Sequence, residues 1–157
     1  MLKIEQLFAV PSGKIDDILA LPHVLRERSR QLARLDSGRE VGLFLPRGTV
    51  LRDGDTLLAE DGTCILVRAT DEPLSEATFS DGLAMARACF HLGNRHVPLE
   101  ISEGRLRYIH DPVVDDMLRS MGFTVGSLMA PFHPEAGAYH MPEIRLGCEP
   151  KPVEKRQ

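Results

Sequence analysis

The 157-residue sequence is long enough for one ordinary domain or two small ones, and its 43% hydrophobic and 27% charged residues describe a globular chain rather than a disordered one. A net charge of −4 argues against a nucleic-acid footprint, which needs a basic surplus, and no apolar run approaches the roughly 18 residues of a membrane span. Cys64, Cys89 and Cys148 are scattered and never form a CxxC, which excludes a disulfide framework and a structural zinc knuckle. With Lys3 and Glu5 near the start and no apolar leader run, the sequence predicts a cytoplasmic protein.

Residues 1 to about 70 read as β-rich. Leu7 to Val10 is a short strand candidate ended by Pro11-Ser12-Gly13. Arg26, Arg28 and Arg30 recur at period two, which predicts three guanidinium groups on one face of a strand. A solvated edge strand is the first reading of that spacing, because charge on an edge deters aggregation; binding of an acidic partner is the second. Val41 to Leu45 is the next strand, and Leu57-Leu58-Ala59 lies between the turn dipeptides Asp53-Gly54 and Asp61-Gly62. Several short strands with glycine turns suggest a small sandwich or half-open barrel. Asp71-Glu72-Pro73 reads as a polar turn after a strand Cys64 to Ala69, and so as the boundary between residues 1–72 and 73–140.

The second half alternates differently. Ser80 is the expected N-cap of a helix with Asp81 in its first turn. From Leu83 to Leu92 only Arg87 and His91 break an apolar surface, which predicts a helix buried on more than one side, one of them against a partner subunit. Gly93-Asn94 is expected to end it, with glycine in the left-handed position. Pro98 to Ser102 reads as a strand with Leu99 and Ile101 on one face, and Arg105 to Ile109 returns after Glu103-Gly104. Asp111 caps a second helix with Pro112 at its first position, Asp115 pairs with Arg119, Gly122 stops it, and Phe123 to Met129 is a final strand. Counting Cys64 to Ala69 as the first strand, the order is βαββαβ, the ferredoxin-like pattern. The fold class is α+β: a β-rich N-terminal domain, then a ferredoxin-like domain, then a C-terminal tail over 141–157.

Three of the six histidines, His91, His96 and His110, fall between Phe90 and Asp116. Imidazole is a common ligand for borderline metals. His91, at the end of the first helix, suits the helix dipole better than a metal. His96 is presented on a short loop after the helix stop. If the apolar helix lies on a two-fold axis, that loop brings two copies of one imidazole together. His110 shares strand parity with Leu106 and Tyr108, which predicts a partly buried packing residue. His133 and His140 lie in a segment broken by prolines, and the tail beyond Met141 carries Cys148 but no histidine.

HLGNRHVPL, LRYIHDPVVDDMLRSMG and PFHPEAGAYH, with RGTVLRDGD upstream, resemble the UreE family of urease accessory proteins over about Ser29 to His140. The resemblance implies a nickel metallochaperone, not an enzyme. It would be a homodimer that binds Ni(2+) as cargo at its interface (Zn(2+) or Cu(2+) in vitro) and delivers it to apo-urease with the accessory GTPase UreG and the urease maturation complex. The histidine of the GNRH motif, His96, is then the interface ligand. His140, from the GAYH match, completes the shell, and His110 is an auxiliary ligand. Relatives often carry a second histidine two residues after His110; Pro112 stands there in this chain. The resemblance also implies that the N-terminal domain is related to peptide-binding modules. An alternative function is therefore a peptide-binding folding factor whose metal is incidental. A metal-dependent hydrolase built on His91, His96 and His110 lacks a placed glutamate base of the HExxH kind.

Overall fold

A computed structural model describes residues 2–8 and 14–137; the turn expected at Pro11-Ser12-Gly13, and His140, Cys148 and the tail, lie outside them. The chain divides after Ala69 into two compact units. Its elements are β1 (Leu2–Phe8), β2 (Asp17–Leu21), α1 (His23–Arg26), β3 (Arg30–Arg34), β4 (Glu40–Phe44), β5 (Thr56–Ala59), β6 (Cys64–Ala69), β7 (Asp71–Thr78), α2 (Gly82–Asn94), β8 (Glu100–Ser102), β9 (Arg105–Ile109), α3 (Pro112–Ser120) and β10 (Thr124–Pro131).

The first unit is a barrel-like six-stranded sheet in the order β2-β6-β5-β1-β4-β3. Strand alternation builds its core: Ile65 and Val67 of β6 point inward while Arg68 points out, and Ile4, Leu19, Val41, Leu43 and Leu57 pack against them. Asp61-Gly62 makes the expected hairpin between β5 and β6, with Gly62 at a φ of 87° that few other residues tolerate. The predicted arginine strand does not form as expected. Pro22 starts the single helical turn α1, which takes Arg26 out of the strand and buries it at 3% exposure, its Nη1 donating to the Leu51 carbonyl at 3.4 Å. Only Arg30 belongs to the edge strand β3, whereas Arg28 lies in the turn before it.

The second unit is the expected βαββαβ sequence, with its four antiparallel strands in the order β10-β7-β9-β8. Its first strand, however, is β7, and Cys64 to Ala69 belongs to the other sheet as β6. Asp71-Glu72-Pro73, expected as a turn, are the first residues of β7. They pair with Pro131, Ala130 and Met129 of β10, whereas pairing with β9 begins only at Leu74. The proline stands at the end of that ladder, where its carbonyl accepts the His110 amide at 3.0 Å and only the return bond from its own missing N–H is lost. Leu106 and Tyr108 are fully buried beneath Ala88 and Leu92 of α2 and Val114 and Leu118 of α3. Leu99 and Ile101 do not share a buried face: Leu99 precedes the strand and is buried, while Ile101 on the edge strand β8 is exposed.

Candidate metal centre

The candidate centre grows from α2. Asp81, rather than Ser80, is its N-cap: the carboxylate accepts from the Leu83 and Ala84 amides, both at 3.1 Å. Among the described residues α2 buries one stripe, Ala88 and Leu92 with Met85 and Cys89 beside them. The opposite side leaves Leu83 at 59% and Phe90 at 65% exposure, so the helix has an apolar face that the described residues do not cover. Phe90 holds the His91 ring edge-on, with the centroids 5.5 Å apart. His91 lies in the last turn of the helix.

The end of α2 places His96. The helix runs through Gly93 and Asn94, so the expected glycine stop is not where it turns. Arg95 is the C-cap, His96 donates its amide to the Gly93 carbonyl at 2.9 Å, and Val97 donates to Leu92 at 3.1 Å. Those two bonds are a Schellman motif, which requires a left-handed residue at the position after the cap. Here that residue is His96, with a φ of 56°, the sole non-glycine residue at positive φ among those described. The same chain ends α3 with the same pair of bonds, Gly122 to Arg119 at 2.9 Å and Phe123 to Leu118 at 3.0 Å, and there the left-handed residue is Gly122 at 89°. One molecule therefore contains both solutions to one backbone problem. The histidine costs about 1–2 kcal/mol more backbone strain than the glycine. Residues held in sparsely populated backbone regions cluster at functional sites, and His96 fits that pattern. Its imidazole is exposed, and its side chain makes no hydrogen bond or ion pair among the described residues.

His110 is not the packing residue that strand parity suggests. It follows the last residue of β9, with its side chain 40% exposed. Its Nδ1 lies 3.0 Å from the Ser75 hydroxyl and 3.4 Å from Asp115 Oδ2, which leaves Nε2 as the nitrogen open to a ligand. Asp115 itself is 1% exposed. Its Oδ1 accepts from the Tyr108 hydroxyl at 2.7 Å, and Oδ2 lies 3.7 Å from Arg119 Nη2. Burial, and then the neighbouring Asp115 carboxylate, push the Tyr108 phenol well above its usual range. This buried group was missed in the sequence, where Asp115 reads only as the i,i+4 partner of Arg119.

Among the described residues no three His, Cys, Asp or Glu side chains come together as a metal-holding group. His91, His96 and His110 thus form no three-ligand group within the chain, and His133 donates its backbone amide to Glu100 at 2.9 Å. The chain offers His96 as an exposed imidazole on a left-handed backbone, with no side-chain partner among the described residues, just after a helix whose Leu83 and Phe90 are exposed.

Both units match known sequences. Residues 4–70 match the UreE urease accessory protein N-terminal domain, and residues 72–146 match the C-terminal domain of the same family. Proteins named urease accessory protein UreE are close relatives. That of Alkalilimnicola ehrlichii is 57% identical over 124 residues, 79% of this chain and 76% of that protein. That of Ralstonia nicotianae is 47% identical over 145 residues, covering 88% and 69%. The Proteus mirabilis protein is 51% identical over 114 residues, covering 73% and 71%. With both units matched in order and half or more of the aligned positions shared with two of these three relatives, the chain belongs to the UreE family of urease accessory proteins.

Proposed function

We propose that this chain acts in urease maturation as a nickel metallochaperone, a carrier and not a catalyst. In this reading two protomers meet through the uncovered face of α2, around Leu83 and Phe90, and the loops that follow bring His96 of each to the two-fold axis. The observation that carries the proposal is His96 itself, an imidazole held where the chain elsewhere uses glycine. A single exposed imidazole binds divalent metal weakly, but two at nitrogen–metal distances of about 2 Å form the core of a site. An incomplete nitrogen shell suits delivery, because the remaining positions stay open to water, to a tail ligand or to a receiving protein. His140 is the proposed tail ligand and His110 an auxiliary one, through its open Nε2.

Nitrogen donors alone do not select nickel, since copper binds more tightly to any such set and zinc competes. Selectivity would then come from geometry and from the partners: apo-urease, the GTPase UreG and the maturation complex, in the cytoplasm. No helix among the described residues is long and apolar enough to cross a membrane. Metal should be released toward acid, because a protonated imidazole cannot ligate.

Nickel titration calorimetry on the wild type and His96→Ala, with mass by light scattering before and after loading, tests this reading. One tight nickel per dimer, abolished by the substitution, is the expected result. Equal binding by both proteins would remove His96 from the site and move attention to His110, His140 and Cys148.

A further inference from the structure

Beneath His110 the second unit holds a buried polar cluster drawn from three elements. Ser75 of β7 stands directly opposite Tyr108 of β9, and both are fully buried. A buried hydroxyl costs about 1–3 kcal/mol when it is left without a partner. Ser75 has two: the Tyr108 oxygen and, at 3.0 Å, the Nδ1 of His110. Asp115 of α3 closes the cluster. Its Oδ1 accepts from the Tyr108 hydroxyl at 2.7 Å, and its Oδ2 lies 3.4 Å from that same Nδ1.

The donors and acceptors of this cluster fix where its protons lie. The Tyr108 phenol has one proton, and it meets a carboxylate oxygen that can only accept, so it donates to Asp115. The bond between Ser75 and Tyr108 is then donated by Ser75, which uses the one proton of the serine. Toward His110, Ser75 therefore offers a lone pair, and Asp115 Oδ2 offers another. A bare Nδ1 would face two acceptors with no proton between them, whereas a protonated Nδ1 gives both a partner. Arg119 Nη2, 3.7 Å from Asp115 Oδ2, supports the ionised carboxylate. The arrangement is not a hydrolytic triad, because serine and carboxylate meet the same ring nitrogen and Ser75 is fully buried.

We propose that Ser75, Tyr108 and Asp115 are positioning residues that hold His110 in the Nδ1–H tautomer, so that a bare Nε2 is presented to a divalent metal ion. The proposal rests on the reading of His110 as an auxiliary ligand and deepens it, naming the nitrogen that binds and the groups that fix it. Turning the ring over about its Cβ–Cγ bond would set a carbon against Ser75 and Asp115 and lose both contacts, so orientation is fixed together with tautomer. Acceptors behind Nδ1–H also make Nε2 more basic, and partners of this kind are typically worth about 10–100-fold in metal affinity. The His96 side chain has no such partner among the described residues, so it can take metal through either nitrogen. His110 can take it through one.

Long-range proton–nitrogen correlation spectra of the isotope-labelled full chain, at a pH of about 8.5 and so above the ordinary imidazole range, read the tautomer directly. The His110 signals are those missing from His110→Asn. Metal-free wild type should show Nδ1 protonated and Nε2 bare, a result that needs no variant to fold. Asp115→Asn sets an amide N–H₂ where a carboxylate oxygen stood, and Ser75→Ala removes the nearer acceptor. Each should move the proton toward Nε2 while circular dichroism is unchanged. Zinc, which is diamagnetic, is then titrated into His96→Ala, where the interface site is absent. It should shift Nε2 of His110, and adding either substitution should weaken that binding at least about tenfold. Protonated Nε2 in wild type, a tautomer that neither substitution moves, or zinc bound through Nδ1 would each overturn the proposal. Zinc that leaves an Nδ1-protonated His110 unshifted would instead overturn the auxiliary-ligand reading, and the metal-presenting role with it.

Discussion

Replacing His96 with glycine should make the metal-free protein more stable and the nickel-loaded protein less so. In the metal-free protein the left-handed backbone at His96 costs an L-residue about 1–2 kcal/mol relative to glycine. Against that gain, glycine adds about 0.5–1 kcal/mol of backbone entropy to the unfolded chain. The difference leaves a net stabilisation of about 0–1.5 kcal/mol, because the exposed imidazole has no side-chain partner among the described residues to lose. His96→Ala keeps the strained backbone and should show no such gain. With nickel at a hundredfold excess over its dissociation constant the wild type gains about 2.7 kcal/mol, a gain that either variant forfeits. Urea unfolding at fixed protein concentration, in chelator and then in nickel, measures both effects; the midpoints should cross between wild type and His96→Gly with unchanged slopes. A glycine variant less stable than wild type in chelator would refute the strain argument. Equal stabilisation of both proteins by nickel would refute the ligand role.

Phe90→Glu places a carboxylate on the open face of α2 and should convert a dimer to a monomer by light scattering, with nickel affinity falling alongside; a stable loaded dimer would contradict the proposed interface. Asp115→Ala removes the acceptor of the buried Tyr108 hydroxyl, which keeps only its bond with Ser75, and should cost about 1–3 kcal/mol, measured by urea unfolding. The Tyr108 phenol, raised by burial and by Asp115, should stay protonated well past pH 10 in the folded protein. Because the folded state holds that proton after an unfolded phenol at about 10 has lost it, stability should fall as pH rises from there. Ultraviolet phenolate titration checks this, and ionisation of Tyr108 near 10 without unfolding would contradict the buried network.

Much of this fold can be read from local signals. The hairpin at Asp61-Gly62, the capping pair Asp111-Pro112 and the alternation of Leu106 and Tyr108 against Arg105 and Arg107 all announce themselves, because turns, caps and period-two burial are properties of short segments. The misreadings share a different origin. Asp71-Glu72-Pro73 reads as a turn because composition does not show that Met129, Ala130 and Pro131 of β10 pair with those residues. Arg26 reads as a strand residue because a single helical turn after Pro22 leaves no periodic trace. The left-handed residue falls on His96 and not Gly93, since the end of α2 is set by the burial of Leu92 and Val97 and not by the nearest glycine. At the candidate site the motif residues are legible, but the strain at His96 and the Tyr108–Asp115–His110 contacts depend on how distant segments meet.

Diffraction from crystals of the nickel-loaded protein at the nickel absorption edge tests the central claim most directly. One anomalous peak per dimer is expected on the two-fold axis, about 2 Å from an imidazole nitrogen of His96 in each protomer. A peak at His110 or in the tail, with His96 empty, would contradict it.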